Sequence, residues 1–143
     1  MAPLRHCAEK TSADRSVANG RVDVLLIGAE WPTRALVRAE LIEQGYEVVA
    51  VDEWPIPGGY VQRPETPRIA VVDLRGLPNP ERVFEELGCH MGPERVIAVT
   101  AIGTIPADQL RQFGFQVVER PASVAQIVAA AARVLATASE AAT

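Results

Sequence analysis

Lysine is almost missing from this 143-residue chain: the fourteen basic residues are Lys10 and thirteen arginines. An arginine standing where a lysine is expected therefore reflects composition as well as design. A basic excess is missing too. Fourteen Lys and Arg against 18 Asp and Glu leave a net charge of −4, which gives no electrostatic footprint for nucleic acid. Cysteine and histidine are scarce. Cys7 and Cys89 lie far apart and form no CxxC, and with His6 and His90 they make no metal-ligand spacing. Free thiols in a cytoplasmic protein are the simplest expectation. No apolar run approaches the length needed to span a bilayer, so no membrane is expected. The charged N-terminus lacks the apolar stretch of a secretory signal. What is present is a globular composition, 48% hydrophobic and 22% charged, in a length that suits one domain with a layered core.

The chain is organised around Arg68–Pro78. Ile69 to Val72 run apolar without alternation and stop at Asp73, after which Gly76 and Pro78 break the chain. An unbroken Val/Ile run points to a strand covered on both faces, as in a parallel sheet. Asp73 then sits at the carboxyl end of a central strand, where open α/β sheets place their chemistry. The plainer role for Asp73 is to end the strand and cap the next turn.

Residues 1–20 are polar, small and without periodicity, and read as a flexible tail. The domain is expected over 21–137, with 138–143 a frayed end. Val22 to Ile27 reads as the first strand, Gly28-Ala29-Glu30 as its loop, and Thr33 to Gln44 as a helix ended by Gly45. Glu47 to Val51 is the second strand. Glu53 to Pro67 holds four prolines and two adjacent glycines, so it excludes a regular helix where a crossover helix belongs. Trp54 and Tyr60 are expected to anchor that loop by packing. Asn79-Pro80 reads as N-cap and first turn of a helix ending at Gly88. Arg95 to Val99 forms a fourth strand ending at Thr100-Ala101. Pro106 opens a short helix that stops at Gly114, and Phe115 to Val118 is the fifth strand. Ser123-x-x-Gln126 is a capping box that starts a last, alanine-rich helix, whose inner side carries Val124, Ile127, Val128, Ala131, Val134 and Leu135. Five strands alternating with helices predict a flavodoxin-like, doubly wound parallel sheet of order 2-1-3-4-5.

Four strand ends share one rim in that fold: Gly28-Ala29-Glu30, Asp73, Thr100-Ala101 and Arg120-Pro121. With Gly45-Tyr46-Glu47-Val48, Val71-Val72-Asp73 and Val96–Ala101, this ordered set resembles the receiver domain of two-component response regulators, the CheY-like fold, over residues 22–136. The resemblance implies that Asp73 occupies the phosphoacceptor position. It implies that Thr100 and Ala101 lie at the phosphate-contact positions, and that Arg120 stands where the family has a lysine. The acidic pair that holds Mg²⁺ in the family is Gly28 and Ala29 here, with Glu30 next to it. The switch aromatic is Val117. Asp73 alone, with carbonyls and waters, would hold the hard Mg²⁺ ion weakly at best. Phosphoryl transfer to a carboxylate relies on metal and cationic stabilisation of the equatorial oxygens. The wide guanidinium fork of Arg120 is a poor substitute for an ammonium. The plainer roles are a backbone-bonded β-branched residue for Thr100, and for Arg120 a surface ion pair with Glu119 or Glu30.

The sequence therefore predicts a stand-alone, degenerate receiver, a pseudo-receiver. It is expected to act in bacterial signalling through protein–protein contact, without normal phosphorylation of Asp73, without a cofactor and without enzymatic activity. The resemblance places the contact surface on the last helix, strand five and the short helix Ala107–Gln112, and leaves a homodimer open. Two rivals remain. One is a working phosphoacceptor with Glu30 as substitute metal ligand. The other is a small nucleotide-binding α/β domain with Asp52 at the ribose, although the glycine fingerprint fails at Glu30 and Thr33.

Overall fold

The structure is a computed structural model that describes residue 4, residues 22–54 and residues 67–142, with side chains as far as residue 138. Its centre is a five-stranded, all-parallel sheet of order β2-β1-β3-β4-β5. The strands are β1 (Val24–Gly28), β2 (Val48–Val51), β3 (Ile69–Asp73), β4 (Val96–Val99) and β5 (Gln116–Val118). The helices are α1 (Trp31–Glu43), α2 (Pro80–Met91), α3 (Ala107–Gln112) and α4 (Val124–Ala142). The doubly wound fold class and the strand order expected from the sequence are both present.

Side chains alternate strictly between two cores, as the two-residue period of a strand requires. Val24 and Leu26 of β1, Ile69 and Val71 of β3, and Ile97 and Val99 of β4 face α1 and α4, where Val37, Leu41, Ile127, Val128, Ala131 and Leu135 cover them. Leu25, Ile27, Ala70, Val72, Val96 and Ala98 face the other way, against Val83, Phe84 and Leu87 of α2 and Leu110 of α3. Every residue of β1, β3 and β4 is buried, which explains their unbroken apolar runs. Phe84 and Phe115 meet edge to face, with ring centroids 5.1 Å apart, and fasten α2 to the start of β5.

Several local expectations change. Gly88 does not end α2; the helix continues to Met91 and stops at Gly92, whose φ of 95° is the left-handed turn a glycine supplies. Gly88 lies within α2 beside the Phe115 ring, where a Cβ would make ordinary contact at 3.4 Å. Asn79 makes no side-chain cap; it adopts φ 49°, and its carbonyl accepts the amides of Arg82 and Val83. Arg95 belongs to a 3-10 turn, Pro93–Arg95, that precedes β4. The Ser123–Gln126 capping box is formed reciprocally, at 2.7 and 3.1 Å. Helix α4 runs on to Ala142, past the point where small polar residues suggested fraying.

Cys89 is disulfide-bonded, which replaces the expected free thiol at that position. Leu4 is buried in the α2-side core together with Trp54, so one residue of the expected tail is packed. Trp54 is packed into this core, while its expected anchoring of the proline-rich segment falls on residues outside those described. The rest of that segment and Tyr60 lie outside the described residues.

The amino ends of the strands are tied by one arginine. Arg68 donates to Asp23 at 3.0 Å and to the Leu135 carbonyl at 3.1 Å, while Asp23 accepts the Glu47 amide at 2.8 Å. This network joins the starts of β1, β2 and β3 to α4. No helix among the described residues is long and apolar enough to cross a membrane.

Candidate functional site

Strand register levels the carboxyl ends. Gly28 pairs with Asp73, Asp73 with Val99, and Val99 with Val118, so these four residues form one row across the sheet. Chain continuity then puts Ala29, Thr100 and Glu119-Arg120 on the rim directly above. The sequence-predicted residues are brought together here, as the strand order demands.

Asp73 is the one buried polar or charged residue among those described, at 5% exposure. Burial of a carboxylate is tolerable only when it is paired and hydrogen-bonded. Arg120 meets this need with a two-pronged contact: Nη1 donates to Oδ1 and Nη2 to Oδ2, each at 2.8 Å. Both side chains of the pair are nearly closed to solvent, at 13% and 7%. Such fork-to-fork geometry is the strongest that arginine and a carboxylate form. Asp73 Oδ1 also accepts the backbone N–H of Arg75 at 3.0 Å, the turn-capping role available to any strand-ending aspartate. The guanidinium of Arg120 is held above its ordinary pKa, first by the hydrogen bond to Asp73, against desolvation, and then by the charges of Asp73 and Glu30. Arg120 is thus a mostly shielded partner of the buried Asp73 and not a surface ion pair.

Arg120 reaches further. Its Nη1 donates to the Thr100 carbonyl at 2.9 Å, and its backbone N–H donates to the Thr100 hydroxyl at 3.2 Å. The Thr100 hydroxyl therefore bonds backbone, the plainer of its two expected roles. Its own amide donates to the Val118 carbonyl. Ala101 is half-buried against the α2-side core. Val117, at the aromatic position of the resemblance, is also half-buried there. The Arg120–Pro121 peptide bond is cis.

Two further arginines complete the rim, and neither was singled out from the sequence. Arg34 Nη1 donates to the Gly28 carbonyl at 2.6 Å. Arg75 pairs with Glu30 at 3.2 Å, and Glu30 also accepts the Thr33 hydroxyl. The position of Arg75, two residues after a strand-ending aspartate, was a usable signal. Arg34 carried none, because only the start of α1 turns it back over β1.

This donor set does not fit Mg²⁺. The ion needs several free oxygens in near-octahedral order. Gly28 and Ala29 supply no carboxylate, both Asp73 oxygens face a guanidinium, and Glu30 Oε1 accepts from Arg75 and Thr33. No group of three or more acidic, histidine or cysteine side chains suited to a metal occurs among the described residues.

No protein-family model matches the sequence, and a search of curated proteins finds no match. Solved structures do match. A signal receiver domain from Vibrio parahaemolyticus superposes with a TM-score of 0.69 at 23% identity, over 84% of this chain and 94% of that one. The fold is that of a response-regulator receiver. The chemotaxis response regulator CheY4 of Vibrio cholerae agrees, at TM-score 0.63 and 15% identity, over 80% of this chain and 98% of the other. The receiver fold also matches adenylate cyclase from Rhodopirellula baltica, at TM-score 0.69 and 13% identity, over 85% and 92%. At such identities the likeness fixes the fold, and function must be argued from the rim.

Proposed function

We propose that this receiver-fold chain is a pseudo-receiver, a cytoplasmic signalling module of the two-component type that works by binding a protein partner and not by accepting a phosphoryl group. The observation that carries this reading is the closed Asp73–Arg120 pair. Phosphoryl transfer to Asp73 needs one carboxylate oxygen free for in-line attack and cations placed on the equatorial oxygens of the phosphoryl group. Here both oxygens are engaged by a guanidinium that is itself mostly shielded from solvent. The neighbouring positions that would bring a metal are Gly28 and Ala29. Arg120 thus neutralises Asp73 directly, and the charge a metal would add is not required. The module has no catalytic activity of its own in this reading. Its partner surface is α3, β5 and α4.

The same observation weakens the reading with Glu30 as a metal ligand. Glu30 is occupied by Arg75, although that pair is half-exposed and exchangeable. Thermal melting with and without millimolar Mg²⁺ and beryllofluoride separates the two. The pseudo-receiver reading predicts no rise in Tm. A rise that depends on both additives would overturn it in favour of the phosphoacceptor.

A further inference from the structure

The sequence between β2 and β3, with four prolines, is unsuited to a covering helix. Leu25 and Ile27 of β1 are nevertheless buried in the α2-side core, and Val49 and Val51 of β2 pack against it. Leu4 belongs to that core at 5% exposure, although the next described residue of the chain is Val22. A leucine on a long tether gains from burial but loses the freedom of its chain, so a nearby anchor decides how firmly it stays. Cys89 supplies the anchor. It lies in the last turn of α2, between Leu87 and Met91 of the same core, and it is disulfide-bonded. The sequence holds one other cysteine, Cys7, three residues from Leu4. Thiols are kept reduced in the cytoplasm, and the disulfides found there are usually transient or redox-sensing.

We propose that Cys89 and Cys7 form a reversible thiol switch: the disulfide fixes Leu4 in the α2-side core, and reduction by a cellular thiol such as glutathione frees it. The exchange balances. A glutathione thiolate attacks one sulfur, the Cys7–Cys89 bond breaks, and a mixed disulfide and one protein thiolate result. A second glutathione displaces the protein from the mixed disulfide and leaves as glutathione disulfide, while the protein gains two electrons and two protons. Cys89 is only half-buried, so its sulfur is within reach of a small thiol. While the bond is intact, Leu4 is tethered by the three residues to Cys7; once it is cut, by the eighteen that reach Val22. Loop-closure scaling makes the freed leucine leave the core about tenfold more often. The cellular meaning of this switch rests on the pseudo-receiver reading of a cytoplasmic module; the thiol chemistry does not.

Intact mass and limited proteolysis test the switch. The parent oxidised with glutathione disulfide is expected to be a single chain, lighter by two hydrogens than its reduced form, and millimolar glutathione is expected to restore the two hydrogens. A disulfide-linked pair of chains, or a bond that survives glutathione, overturns the proposal. Chymotrypsin then reports on Leu4, because cleavage after it requires the side chain to leave the core and enter the hydrophobic slot of the protease. Cleavage of a transiently opened form tracks its population. Cys89→Ser, which needs no reductant in the assay, is expected to lose residues 1–4 about tenfold faster than the oxidised parent. Phe84, fully buried in the same core, is expected to be cleaved far more slowly, on the timescale of global unfolding. An unchanged rate after Leu4, or cleavage after Leu4 and Phe84 at one common rate, overturns the switch. Should Cys89→Ser not fold, Cys7→Ser breaks the same bond from its other end and is read by the same two outcomes. A phosphoryl adduct on Asp73 would overturn the pseudo-receiver reading and leave the cleavage result standing, so the two failures are distinguishable.

Discussion

Arg120→Ala is the most severe single change the structure identifies. It removes both prongs from Asp73 and leaves a carboxylate at 5% exposure with one protein donor, the Arg75 amide. Breaking a buried pair from one side costs about 3–5 kcal/mol, because the remaining charge keeps its desolvation penalty without compensation. For a domain of this size that corresponds to a fall of roughly 10–20 °C in Tm. The same truncation also frees the Thr100 carbonyl, a smaller loss. Arg111→Ala is the matched control. Its pair with Glu119 is as short, 2.7 Å, but the two side chains are 48% and 57% exposed, and solvent screening limits the cost to about 0–1 kcal/mol. Urea denaturation of parent, Arg120→Ala and Arg111→Ala, fitted with a common slope, gives the comparison. A loss below about 1 kcal/mol for Arg120→Ala would place the pair in the screened class and refute its burial.

Three other outcomes are expected. Thr100→Val, which takes the hydroxyl acceptor from the Arg120 amide, lowers stability by about 1–2 kcal/mol, whereas Thr100→Ser stays near the parent in the same urea assay. The Arg120 guanidinium has a raised pKa, so its contribution is complete below its unfolded value and is lost only as pH rises through the still higher folded one; the parent pair survives ordinary alkaline buffers. Arg120→Lys shifts that window down, its contribution being lost once pH climbs past the ordinary lysine value of about 10.4, which a melting series against pH detects. The triple variant Gly28→Asp/Ala29→Asp/Arg120→Lys rebuilds an acidic rim, and Gly28 has room, since a Cβ there meets Asp73 Cβ at 3.4 Å. It melts below the parent without metal and gains about 2.7 kcal/mol at Mg²⁺ a hundredfold above its dissociation constant, while the parent gains nothing.

The sheet and its rim were legible because both follow from local rules. Two-sided burial writes itself as the apolar runs Val24–Ile27, Ile69–Val72 and Val96–Val99, and parallel connectivity then levels Gly28, Asp73 and Val99 in one row. The capping box at Ser123 was legible for the same reason. What was not legible depends on distant partners. Arg120 lies 47 residues from Asp73, and its neighbour Glu119 offered a closer carboxylate, so only the register of β3, β4 and β5 selects the buried acid. Gly88 looked like a helix stop, but α2 runs through it to Met91, and nothing local in the sequence distinguishes Gly88 from Gly92 as the end. Leu4 and the disulfide at Cys89 are tertiary facts with no local signature.

In the pseudo-receiver proposed above, Asp73 accepts no phosphoryl group because Arg120 holds both of its oxygens. Intact-mass measurement of the folded protein, after incubation with acetyl phosphate and Mg²⁺, tests this most directly. An active receiver domain treated alongside shows that the donor works. The account predicts no added phosphoryl mass on the parent. A phosphoryl adduct on the parent that disappears in Asp73→Asn would contradict it.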